Sequence, residues 1–221
     1  MEQAHVKKPL NIPKYTLCEE LLNSISHGVG SALGIAALVL CIIKSCNPLD
    51  GFKLASSIVF GLTFTLLYLM SCLYHALKVN RAKVVFRVID HCTIFLLIAG
   101  TYTPYTLVTL RGVTGWILFS VVWGVGILGI VFNAVNLKRY AKLSVLCYIG
   151  LGWVVLFAIK PLVESLPHNG LILLLAGGIA YTLGAVLYAI GSKKPYFHSV
   201  FHFFCIIGTV LHFFSIYFYV L

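Results

Sequence analysis

Seven runs of mostly apolar residues, near 25–43, 54–77, 88–110, 115–135, 141–159, 171–190 and 197–221, take up most of the 221-residue chain. A bilayer's hydrocarbon core is about 30 Å thick and a helix rises about 1.5 Å per residue, so each run is long enough to cross once. Backbone N–H and C=O groups inside lipid must be satisfied within the protein, which leaves helices and closed barrels. The runs are long and continuous rather than short and alternating, so they predict an all-α integral membrane bundle of seven transmembrane helices. Composition agrees, with 60% hydrophobic and 10% charged residues and a mean hydropathy of +0.99. The expected division is a cytoplasmic N-terminal segment, 1–23, and a single membrane domain, 24–221, with no room for a separate soluble domain. The polar residues before the first run are a poor match to a cleavable signal peptide.

A net charge of +10 raises the question of nucleic acid, and its placement answers it. Lys7, Lys8, Lys14, Lys78, Arg81, Lys83, Arg87, Lys138, Arg139, Lys142, Lys193 and Lys194 fall on connections that share a side with the N-terminus. Lys44, Lys53, Arg111 and Lys160 fall on the other side. The positive-inside rule then gives a cytoplasmic N-terminus and an outer C-terminus. The basic excess reads as topology and contact with anionic headgroups, with no nucleic-acid partner expected. Tyr102, Tyr105 and Trp116 around the third loop, and Tyr217 and Tyr219 at the end, look like interfacial aromatics. Cys18, Cys41, Cys46, Cys72, Cys92, Cys147 and Cys205 are scattered, without a CxxC pair, and read as packers rather than a disulfide framework.

The intramembrane polar residues collect in one layer. With this topology Ser71 and His75 lie near the cytoplasmic end of span two, Asp90 and His91 at the start of span three, His198 and His202 in the first turns of span seven, and His27 in span one after Glu20, Asn23 and Ser24. Helical rise puts them roughly 3 to 8 Å from the cytoplasmic boundary. His198 and His202 are four apart, so both project from one helix face, as two ligands of one ion must. A third imidazole from another helix would complete a three-histidine set with one position left for water. Nitrogen ligands favour zinc, although two histidines with Asp90 bound directly would suit iron. The alternative for His198 and His202 is hydrogen bonding to neighbouring helices or headgroups. Asp90 has three readings: holding the water, orienting a ligand histidine, or pairing with Arg87 one turn before it. Ser71 alone means little. Glu20, Asn23 and His27 either support the ligands from behind or form a wet helix start. His91 points away from Asp90 and is left out; His212 lies about 15 Å beyond His202, too far to share an ion. His5 and His168 read as loop residues. No polar stripe is expected to run through a span, which argues against a conducting pore.

Three stretches, SCLYH at 71–75, IDH at 89–91 followed by IAGTYTPY at 98–105, and HSVFH at 198–202, resemble the S-x3-H, D and H-x3-H signatures of the progestin and adipoQ receptor superfamily. ELLNSISHGVGSALG at 20–34 and LAGGIAYTLGAVLY at 175–188 resemble its hemolysin III branch, mostly bacterial. The likeness extends from about Glu19 to the C-terminus. It implies seven helices with a cytoplasmic N-terminus and a zinc ion held by His75, His198 and His202, with Asp90 contacting a zinc-bound water and Ser71 nearby. The expected location is the plasma membrane, as a multi-pass bacterial inner-membrane protein.

Three functions follow. One is a zinc-dependent hydrolase of a lipid amide or ester, ceramidase-like, with Asp90 as base, Ser71 near the substrate carbonyl and a membrane lipid as substrate. Another is a metal-stabilised regulator or sensor of membrane lipid state or energetics. A hemolysin-like cytolysin is the third possibility.

Overall fold

The computed structural model describes residues 12–191 and 194–221. His5, Lys7, Lys8 and Lys193 therefore lie outside the described residues. The described chain is helical: α1 Leu17–Ser45, α2 Gly51–Ala76, α3 Arg81–Pro104, α4 Val113–Trp153, α5 Ile159–Ser165, α6 His168–Gly191 and α7 Phe197–Tyr219. A π turn, Tyr105–Thr109, extends α3, and a 3-10 turn, Val154–Ala158, joins α4 to α5. Among the described residues six helical segments are long and apolar enough to cross a membrane, the longest being Val113–Ser165.

Several helices begin before the apolar runs do, because polar residues cap them. Thr16 and Glu19 form a capping box: the Glu19 N–H donates to Thr16 Oγ1 (3.3 Å), and the Thr16 N–H donates to Glu19 Oε2 (2.8 Å). Such a cap is worth about 1 kcal/mol and lets α1 start at Leu17 rather than at 25. Asp50 accepts from the Phe52 and Lys53 N–H groups to start α2, and Asn80 accepts from the Lys83 N–H to start α3. Lys83 is thus no loop charge, as its place in the second connection suggested, but a helical residue only 1% exposed.

Inside α4, Asn136 has extended dihedrals (φ −159°, ψ 86°), and its side chain accepts from the Arg139 N–H at 3.0 Å, as an N-cap does. The chain folds back there. Ser144 donates to Asn133 Oδ1 at 2.6 Å and Asn133 donates to Tyr148 Oη at 3.2 Å. In a straight helix those residues would be about 16 and 22 Å apart.

Helix α2 packs between α1 and α3, α6 pairs with α7, and α1 meets α7, so the two halves close on each other. Phe60, Phe64 and Tyr68 of α2, Phe95 of α3 and Ile216 of α7 belong to one buried cluster. The outer surface carries Val29, Ile35, Val39 and Ile43 on α1 and Ile117, Ile127, Leu128 and Val131 on α4, which suits a lipid solvent. All seven cysteines are free. Tyr102 and Tyr105 face the bundle, both buried, and the Tyr102 hydroxyl donates to the Gly152 carbonyl at 3.0 Å.

With lipid outside, helix association depends on close backbone approach. A Cβ placed on Gly61 would come within 2.6 Å of Leu38 Cα, and one on Gly34 within 2.8 Å of the Thr65 backbone. Gly61→Val is therefore expected to destabilise the detergent-purified protein by about 1–3 kcal/mol in thermal unfolding. Gly124→Ala, where no atom lies within 4 Å, is expected to leave the midpoint unchanged.

Candidate metal centre

The last turn of α2 and the first turns of α1, α3 and α7 meet at one end of the bundle. Glu19 helps align them: besides its capping bonds, its Oε1 accepts the Tyr196 N–H at 2.8 Å, tying the start of α7 to the start of α1. Tyr196 has a positive φ of 63°, so the chain turns sharply into Phe197 and carries His198 toward α2.

His75, His198 and His202 converge there. Their nearest ligand atoms all lie within 4.8 Å of one another, and they are the one such group of three or more among the described residues. His198 Nε2 lies 3.3 Å from His75 Nε2 and 3.1 Å from His202 Nε2. Four tetrahedral ligands at 2.0–2.1 Å from a cation would be about 3.3–3.4 Å apart, so the spacing fits a small divalent ion. His75 and His202 are each 2% exposed. The three histidines could hold a metal ion, in a donor set that suits zinc, copper, nickel or iron better than magnesium or calcium.

The other residues singled out by sequence fall around this cluster. The Glu20 carboxylate accepts from His75 Nδ1–H and from Lys83 Nζ, both at 2.7 Å. Asn23 Nδ2 lies 3.5 Å from His75 Nδ1. The His27 ring stacks on His202 with centroids 3.6 Å apart and planes 12° from parallel, and neither His27 nitrogen has a hydrogen-bond partner among the described residues. Its contact is a ring face rather than a hydrogen bond. Asp90 is buried on α3 and lies outside the group of three. The Ser71 hydroxyl is buried next to Asp90.

Three residues have other employment. His91 does not point away from Asp90, since its Nδ1 lies 3.6 Å from Asp90 Oδ2; Nδ1–H donates to the Arg87 carbonyl at 2.8 Å, while the His91 carbonyl accepts from Tyr148 Oη at 2.8 Å. His212 Nε2–H donates to the Leu174 carbonyl at 3.0 Å. His168 opens α6 and is exposed.

The expectation that polar groups stay at one end is corrected. Ser199, His202, Cys205, Thr209, His212 and Ser215 give α7 a polar buried face along its length. Much of this file is bonded within the bundle. Tyr68 Oη meets Thr209 Oγ1 at 2.6 Å, Tyr181 Oη meets the same oxygen, and Ser215 donates to the Gly170 carbonyl at 2.8 Å. The stripe is therefore packed polar contact rather than a lumen.

Sequence reading also missed Tyr15. Its ring stacks on His198 with centroids 5.0 Å apart and planes at 21°, and lies 5.7 Å from His75. Burial, with Tyr74 and Tyr188 nearby, holds the Tyr15 phenol well above its usual range, so it stays neutral. The stretch before α1 thus closes over the histidines, an arrangement no local pattern announces. Tyr15→Ala is expected to speed diethyl pyrocarbonate modification of His198 severalfold, read by peptide mass spectrometry; an unchanged rate would show that Tyr15 does not shield the ring.

Residues 15–213 match the family described as Haemolysin-III related. Over 203 residues the chain is 43% identical to "Hemolysin-3" of Bacillus cereus, with 92% of each chain covered. It is 40% identical over 205 residues to a "Hemolysin-3 homolog" of Bacillus subtilis (strain 168), covering 93% of this chain and 96% of that one. A more distant likeness, 21% over 211 residues, is to the human "Monocyte to macrophage differentiation factor", covering 92% and 85%. With six apolar helices and a family match over nearly all its length, the chain is a multi-pass protein of the bacterial plasma membrane and belongs to the haemolysin III-related family.

Proposed function

We propose that the protein is a zinc-dependent hydrolase of a membrane lipid amide or ester, ceramidase-like, working near the cytoplasmic leaflet. The observation that carries this reading is the convergence of three imidazole Nε2 atoms, two contacts being 3.1 and 3.3 Å, at one end of an apolar bundle. In this reading His75, His198 and His202 hold the ion. Bound zinc would supply Lewis acidity, lowering the pKa of a water to about 7 and polarising the scissile carbonyl.

The chain's own residues supply the rest. Asp90, buried on α3, accepts the proton of the attacking water. The Ser71 hydroxyl donates to the substrate carbonyl oxygen or holds Asp90 in place. The apolar outer surface lets a lipid approach laterally, and an amide or ester just below the headgroups lies at the depth of the histidines.

The orientation proposed with it is a cytoplasmic N-terminus, an outer C-terminus and seven crossings, Val113–Ser165 crossing twice about the fold-back at Asn136. Support comes from Lys138, Arg139 and Lys142 beside that fold-back and from the excess of basic residues on N-terminal-side connections. A reporter that fluoresces only in the cytoplasm should be bright when fused after Lys138 and dark when fused after Leu221.

A second reading, a metal-braced regulator of lipid state or membrane energetics without turnover, draws support from the ring stacks of Tyr15 and His27 on two of the three histidines. Mutants separate the two. His202→Ala should lose both zinc and lipid hydrolysis. Asp90→Asn should keep zinc and lose turnover by about 10²–10⁴-fold, with ceramide in mixed micelles as the test lipid. Full turnover in Asp90→Asn would remove Asp90 as the base; zinc without any hydrolysis by wild type would favour the brace.

A further inference from the structure

We infer that Glu20 and Lys83 form a positioning pair for the histidine cluster, the Glu20 carboxylate fixing which nitrogen of His75 carries its proton and Lys83 fixing the carboxylate. The functional meaning of the pair rests on the metal-binding reading above; its geometry does not. His75 Nδ1 lies 2.7 Å from Glu20 Oε2, and because a carboxylate only accepts, that nitrogen carries the hydrogen. A neutral imidazole has one N–H, so Nε2 presents its lone pair, and this is the atom 3.3 Å from His198 Nε2. Nδ1 of His198 and Nδ1 of His202 are buried with no hydrogen-bond partner among the described residues. Of the three rings, His75 alone thus has a side-chain carboxylate setting its tautomer.

Lys83 is held as tightly as the carboxylate it meets. Its side chain is 2% exposed, its Nζ donates to Glu20 Oε1 at 2.7 Å and to the Leu77 carbonyl at 2.9 Å, and the ammonium sits 5.2 Å from the Tyr74 ring centroid. A buried ammonium is costly without partners, and here it has an anion, a carbonyl and an aromatic ring. Leu77 follows the last turn of α2, two residues after His75. One ammonium therefore fixes the carboxylate on α1, the end of α2 and its own first turn of α3. A ligand histidine oriented through its second nitrogen by a carboxylate is a stronger donor, and loss of such a partner costs metal affinity.

The rival role for the pair is a plain staple between helices. The test uses the purified full-length protein with Glu20→Ala, Lys83→Met and the double variant, reading thermal unfolding of the metal-free form and zinc affinity by chelator competition. Glu20→Ala leaves a buried ammonium unpaired and is expected to unfold earlier; the double variant, with neither charge, is expected to regain the wild-type midpoint. Its zinc affinity should nonetheless stay about 10- to 100-fold weaker than wild type. A double variant that recovers both stability and zinc affinity overturns the inference.

Nitrogen-15 spectra of histidine-labelled, metal-free protein give a readout independent of zinc, with the His75 signal assigned by its loss in His75→Gln. Wild type should show His75 protonated at Nδ1, and the double variant should lose that preference; unchanged tautomers would overturn the inference. Wild-type protein that binds no zinc would defeat the metal reading and leave the tautomer test standing.

Discussion

Three imidazoles meeting within 4.8 Å, with His198 Nε2 3.1 and 3.3 Å from the Nε2 atoms of His202 and His75, in surroundings with little water, constrain this end of the molecule. Bare lone pairs at that distance repel, and a proton shared along one N···N contact cannot satisfy all three. A small cation relieves every lone pair at once, at the spacing that tetrahedral coordination requires. Holding the rings there needs elements far apart in sequence: the end of α2, the start of α7, and the starts of α1 and α3 that support them. The Thr16–Glu19 cap, the Glu19 contact to Tyr196 and the Glu20–Lys83 pair brace these helix ends around the rings.

The same layout explains how a bundle facing lipid can keep buried charge. Glu20 and Lys83 sit within the first turn or so of their helices, where each other's charge and the remaining exposure of the Glu20 side chain offset the cost of burial. Deeper in, the polar groups of α7 are mostly bonded to neighbouring helices. Close packing at Gly34 and Gly61 keeps α1 against α2, so the carboxylate of one reaches the histidine of the other.

What the sequence revealed depended on the range of the signal. Most of the apolar runs lie within helices or overrun them by a few residues, because hydropathy is local and lipid demands long segments, whereas the run at 141–159 crosses the 3-10 turn Val154–Ala158. His198 and His202 were legible as neighbours because residues four apart share a helix face. Glu20 and His75 are 55 residues apart, and Glu20 and Lys83 are 63 apart, so no local pattern shows that they touch. Lys83 resembled a loop charge because basic residues flank most membrane helices; its burial depends on where α1 ends up. The polar face of α7 was missed for a different reason: Thr209 and Ser215 are small, and their partners Tyr68, Tyr181 and the Gly170 carbonyl lie on other helices. Tyr15 escaped because its neighbours lie on α2 and α7, far along the chain.

Zinc-edge X-ray absorption of the purified wild-type protein decides whether His75, His198 and His202 hold a metal. About one zinc per chain is expected, with three imidazole nitrogens at about 2.0–2.1 Å and no sulfur ligand. Protein without stoichiometric metal after chelator-free purification and zinc loading, or a spectrum with cysteine sulfur in the coordination shell, would contradict it.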